Sequence, residues 1–129
     1  HRYNVISIWN NHPFTSLIKM PDYPEVAIQD VTDFDGKRKA MSMDEKIAFW
    51  RQVMQHARDR GVDVYVFTWN IFVKGTENSG YGLTTDPANA TTKDWVRRAT
   101  RTLFDTYPLL AGIGVTAGEN MGDVFAGGL

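Results

Sequence analysis

The spacing of apolar and polar positions changes several times along the chain, and each change predicts an element. Tyr3-Asn-Val-Ile-Ser-Ile-Trp9 is β-branched and aromatic, the composition of a buried strand. Residues 10–40 are polar and carry Pro13, Pro21 and Pro24, which predicts a long loop. Within it, residues 17–20 predict a strand or turn and residues 25–31 a short helix. The basic run Lys37-Arg38-Lys39 reads as solvated loop, not as a phosphate site. Ser42-Met-Asp-Glu45 then has the form of a capping box. Ile47, Trp50, Val53, Met54 and Ala57 follow at helical spacing, and Gly61 supplies the stop. Residues 62–69 form a near-continuous apolar run, as expected of a parallel strand covered on both faces.

A second loop, residues 70–90, carries Gly75, Gly80 and Gly82. Thr91 or Thr92 is the expected cap of a second helix, with Val96, Ala99, Leu103 and Phe104 on one face and Pro108 at its end. A strand over residues 109–116 comes next. The order β-loop-α-β-loop-α-β places long insertions only after strands. That asymmetry belongs to barrels whose active site is built from the loops after the strands. The expected fold is α/β, a partial (β/α)8 TIM-type barrel of about three β/α units with parallel strands. A doubly wound sheet shares the alternation. A closed barrel takes about 250 residues, so residues 1–129 are expected to be a single domain that is a fragment of a larger TIM-barrel catalytic domain. The opening His1 and the closing Gly127-Gly-Leu129 fit that expectation.

Composition narrows the function classes. Apolar residues make up 43% and charged residues 22% of the chain, near the globular average. A net charge of −1, with Lys and Arg scattered among acids, gives nucleic-acid binding no support. No apolar run approaches the roughly 18 residues of a membrane span, and no signal peptide is visible. The absence of cysteine excludes disulfides and thiolate chemistry without fixing the compartment. Three separated histidines, none with an acid at ligand spacing, lead us to expect no metal site, and no cofactor is expected.

The candidate chemistry starts at residues 109–120, where an apolar run ends on Glu119 through small residues. Carboxylates at the C-terminal ends of parallel strands are catalytic candidates, although loop solvation or helix capping also places acids there. Asn120 beside it could fix a sugar hydroxyl, and Asp123 is either a second carboxylate or a loop acid. Glycoside cleavage wants two carboxyl groups about the scissile bond. It also wants rings against the apolar faces of sugars. Trp9 and Trp69 close two strands, each followed by an asparagine, Asn10 and Asn70; Phe72 and Tyr81 follow in a loop. His12 could bond a substrate hydroxyl, and Lys74 could meet an anion. His56 is expected on a helix surface, and His1 is terminal. Gly112-Ile-Gly-Val-Thr-Ala117 matches a relaxed dinucleotide pattern, but its first glycines fall inside the apolar run and not in a strand-to-helix turn. Asn89-Ala-Thr91 is a glycosylation sequon in form only.

Three phrases carry a resemblance: Val66-Phe-Thr-Trp-Asn-Ile-Phe72, Gly80-Tyr-Gly-Leu-Thr84, and Tyr107-Pro-Leu-Leu-Ala-Gly-Ile-Gly-Val-Thr-Ala-Gly-Glu-Asn-Met121. They resemble segments of bacterial (β/α)8 glycoside hydrolases of the α-glucuronidase-like and hexosaminidase-like kind. The resemblance implies a barrel fragment with a carbohydrate site at the strand C-terminal face and an oligosaccharide or glycoside substrate; the compartment stays open, a periplasmic or secreted parent being one option. Glu119 matches the glutamate such barrels place at a strand end; no second carboxylate carries over. On that reading Glu119 is the general acid or base. Trp9, Trp69 and Tyr81 shape subsites, and Asn10, His12, Asn70 and Asn120 supply hydrogen bonds. A non-catalytic carbohydrate-binding domain and a nucleotide-binding α/β enzyme are the rival expectations. An open three-unit barrel would expose apolar strand edges, so self-association is expected of this chain.

Overall fold

The computed structural model describes residues 3–9, 13–28, 31–32, 35–69, 73, 76 and 79–116. In chain order the elements are β1 (Val5–Trp9), α1 (Pro13–Ser16), a 3-10 turn at Pro24–Val26, β2 (Val31–Thr32), β3 (Arg38–Lys39), α2 (Met43–Arg58), β4 (Asp63–Trp69), α3 (Ala90–Thr106) and β5 (Leu110–Thr116). Strands β1, β4 and β5 form one sheet in that order, every pair parallel. Each strand lies beside its predecessor in the sheet, and α2 and α3 are the crossovers. The fold is α/β. Two-residue β2 and β3 pair antiparallel as a separate ladder, so Arg38 and Lys39 stand in an exposed strand where solvated loop was expected.

Helix α2 forms as its sequence dictates. The Ser42 hydroxyl accepts from the Glu45 amide at 3.2 Å, and the Glu45 carboxylate accepts from the Ser42 amide at 2.7 Å. Those two bonds satisfy orphan donors at the first turn. The Ser42 amide is also the main reason the Glu45 carboxyl sits below its usual range. Past the helix end, Gly61 takes a φ of 68°, which a side chain would resist.

Helix α3 corrects the sequence reading. Its cap is Asn89, whose side-chain oxygen accepts from the Thr92 amide at 3.0 Å. Thr92 lies inside the first turn, buried, where its hydroxyl donates to the Thr84 carbonyl at 2.9 Å and accepts from the Thr84 amide at 3.0 Å. Asn89 wins the cap because its amide group also donates to both the Gly82 carbonyl and the Thr84 hydroxyl, two donations that a single hydroxyl proton could not make together. Of the expected face, Ala99 and Leu103 are buried, whereas Phe104 stands exposed and Trp95 is in the core instead.

The segment read as a polar loop supplies much of the core. Phe14, Leu17, Ile18, Met20, Tyr23 and Val26 are buried, packed with Met54, Trp95, Leu103, Tyr107, Val64 and Val66. Residues 17–20 form no strand, and the helix expected over residues 25–31 shrinks to the 3-10 turn and the start of β2. Prolines at 21 and 24 block a regular ladder, so the buried backbone groups need other partners. Lys46, only 4% exposed, donates to the Ile28 carbonyl at 2.6 Å and the Ser16 carbonyl at 3.4 Å. The Tyr107 hydroxyl donates to the Leu17 carbonyl at 2.5 Å. Burial pushes that phenol up to about 12. Arg98 spans Asp94 and Asp22 at 2.6 and 2.8 Å and ties the same segment to α3. These last pairs are solvent-exposed and set position more than stability.

Candidate functional site

Register divides the sheet into two faces. Ile6 and Ile8 of β1 lie level with Val64 and Val66 of β4, and Leu110 and Ile113 of β5 join them. Side chains at paired positions share a face, and this one carries the helices: Val64 and Val66 are buried against α2, α3 and the 13–28 segment. The opposite face holds Val5, Ser7 and Trp9, then Tyr65, Phe67 and Trp69, then Gly112, Gly114 and Thr116. Among the described residues no helix covers it. The expectation that β1 is buried and β4 covered on both faces is therefore corrected: β1 is largely exposed, and Tyr65, Phe67 and Trp69 are half-buried.

Trp9 and Trp69 occupy equivalent places, the last residues of β1 and β4, on the helix-free face. Trp9 pairs in register with Phe67, so Trp69 projects one layer further along the strand direction. The Trp9 ring stacks on Phe67 with centroids 4.6 Å apart and planes inclined by 13°. That separation matches the spacing of neighbouring strands, about 4.8 Å. Trp9 remains 60% exposed. Strand C-termini of an α/β sheet thus carry an aromatic row that is open to solvent on one side.

The two glycines of β5 make the row possible. Neither has a left-handed φ, so the backbone does not demand them. A Cβ at Gly112 would stand 2.6 Å from Cε1 of Tyr65, and one at Gly114 would overlap the edge of Phe67. Both glycines lie within β5, paired with β4, and not in a strand-to-helix turn where a pyrophosphate would sit. Nothing in the local sequence assigns Phe67, Gly112 and Gly114 this role. The available signal was the alternation Tyr65-x-Phe67-x-Trp69 opposite Gly112-x-Gly114, which needs the strand register before it can be read.

The remaining predicted residues fall elsewhere. Tyr81 meets Tyr23 edge to face at 4.8 Å and packs against the core, which places it with the helix layer. Burial and the Asp94 carboxylate raise the Tyr23 phenol above its usual range. His56 sits on the exposed surface of α2 beside Arg60. Asn10, His12, Asn70, Glu119 and Asn120 lie outside the described residues, as do Phe72, Lys74 and Asp123.

Two concavities lie away from the aromatic row. One of about 360 Å³ is lined by Met20, Pro24 and Met43, and one of about 390 Å³ by Arg51, Met54 and Tyr107. Among the described residues no group of His, Asp and Glu could hold a metal ion, and no helix is long and apolar enough to cross a membrane. Compared with family models, curated proteins and solved structures, the chain finds no match.

Proposed function

We propose that this chain is part of a carbohydrate-active glycoside hydrolase, a partial (β/α)8 barrel whose sugar site lies at the C-terminal ends of its strands. The observation that carries the reading is the placement of Trp9, Phe67 and Trp69 on the helix-free face at those ends. Pyranose rings offer apolar C–H faces to the electron-rich faces of aromatic side chains. Trp9 and Trp69 take the subsite roles; the Tyr81 ring is engaged with Tyr23. Glu119, three residues beyond β5 in sequence, is the proposed general acid or base, with Asn10, His12, Asn70 and Asn120 as hydrogen-bond partners.

Apolar groups at both lateral borders of the sheet support the barrel architecture. On β5, Val115 is 61% exposed although its register puts it on the helix-bearing face. On α2, Arg51 donates to the Thr106 carbonyl of α3, so Phe49, two residues earlier and on the opposite flank, faces away from α3 and is 54% exposed. Neighbouring β/α units on either side would cover both. Without them the chain is expected to self-associate, and light scattering on the eluting peak should give at least a dimer. A compact monomer would count against the open barrel and favour a self-contained binding domain.

The catalytic claim has its own test. In the full-length enzyme, Glu119→Gln should lower glycoside turnover by about three orders of magnitude or more while the folded far-UV spectrum is kept. Near-normal turnover, with oligosaccharide still bound, would transfer the assignment to a non-catalytic carbohydrate-binding module.

A further inference from the structure

We infer that Gly114 is a positioning residue of the proposed sugar platform: its missing side chain lets Phe67 lean over β5 and so turns Trp9 face-outward. The inference rests on the carbohydrate reading and assigns the orientation of that same site. Rings on adjacent strands can stand upright and parallel, like books on a shelf, each hiding the faces of its neighbours. Here Phe67 reaches so far across that a Cβ at Gly114, its partner in register, would overlap three of its ring atoms. Phe67 is therefore tilted toward β5. Trp9 lies nearly parallel to it, 13° between planes, so the indole shares the tilt. One indole face is covered by Phe67, and the other is open, in keeping with the 60% exposure of the residue. A sugar needs that open face, since edge-on indole gives it little area to stack on.

The layers on either side set the limits of the device. Tyr65 leans over Gly112 in the same way, but no ring from β1 stacks on it, because its partner in register is Ser7. Trp69 has Thr116 as its partner, so no glycine lies opposite it. Among the described residues, the middle layer couples a glycine to an exposed tryptophan through one intervening ring. Gly112 is thus the internal control.

The test uses the chain labelled with 5-fluorotryptophan, with the Trp9 fluorine signal assigned through Trp9→Phe. Gly114→Ala should move that signal, as Phe67→Ala does, whereas Gly112→Ala should leave it in place. The double variant Phe67→Ala with Gly114→Ala removes the overlap and serves if the single variant is poorly folded; its Trp9 signal should match that of Phe67→Ala alone. An unmoved Trp9 signal in folded Gly114→Ala overturns the inference. Cellohexaose and xylohexaose are then titrated against each variant. Gly114→Ala should weaken the better-bound of the two by about tenfold, the worth of one aromatic contact, and Gly112→Ala by much less. A moved signal with unchanged affinity removes the positioning role. If the full-length protein binds neither sugar while the signal moves, the ring coupling holds and the carbohydrate reading of the face is what fails.

Discussion

The two faces of the one sheet are built on opposite plans. On the covered side, Ile8, Val64, Val66, Leu110 and Ile113 present aliphatic side chains to α2, α3 and the 13–28 segment, and Val64 and Val66 are almost wholly buried. On the other side the same strands present Trp9, Tyr65, Phe67 and Trp69, half open, with Tyr65 and Phe67 leaning across two glycines. A sheet face meant for water alternates polar residues with the buried ones. This one does not. Its rings are larger and costlier to leave wet than anything the covered face holds, which is the mark of a surface kept for a further layer or a ligand.

The comparison can be broken most directly by cutting one side chain on each face. Leu103→Ala empties a fully buried position under the covered face and should destabilise the chain by about 3 kcal/mol in urea denaturation. Phe67→Ala removes a half-buried ring and one stacking partner, and should cost only about 1–2 kcal/mol. Equal losses would mean that the open face is packed as tightly as the core.

Alkaline titration sharpens the covered side alone. Tyr107 is held neutral by burial, its folded pKa at about 12 against 10.0 for the free phenol. Unfolded chains lose that proton first, so between those values the unfolded state binds fewer protons and stability falls as pH rises. The urea midpoint should be insensitive to this group below pH 10 and decline above it. Tyr107→Phe should flatten the decline. An identical decline in the variant would assign it to other groups.

The smallest of the expected effects belongs to neither face. Ser42→Ala deletes the hydroxyl half of the capping box on α2 and should cost about 1 kcal/mol. It should leave the Trp9 environment untouched, which near-ultraviolet circular dichroism can check. A change there would show that the open face depends on helix α2 as a whole.

Of the aromatic row, the sequence shows the two tryptophans. Trp9 and Trp69, picked out as strand-final tryptophans, do fall on one face at equivalent ends. Phe67 escaped notice because it looks like any apolar residue of a buried strand; only pairing with Trp9 gives it a role. Gly112 and Gly114 match a relaxed dinucleotide pattern, but they lie inside an apolar run. What they do instead depends on which β4 rings stand opposite. Residue type groups Tyr81 with the tryptophans, yet its ring meets Tyr23 at the core.

By itself the sequence determined the α/β alternation, the helix α2 with its Ser42–Glu45 box, and the three parallel strands to within two residues of their ends. Those features follow from local rules, namely side-chain period, capping chemistry and β-branching, which act over one or two turns. Tertiary structure decided the rest. It buried the proline-bearing segment that looked polar, because Lys46 on α2 and Tyr107 just past α3 answer its backbone carbonyls from 18 and 90 residues away in sequence. It moved the α3 cap to Asn89 through contacts to Gly82 and Thr84. It also decided which face of each strand the helices cover, since strand register and helix seating are long-range choices that no short window of residues contains.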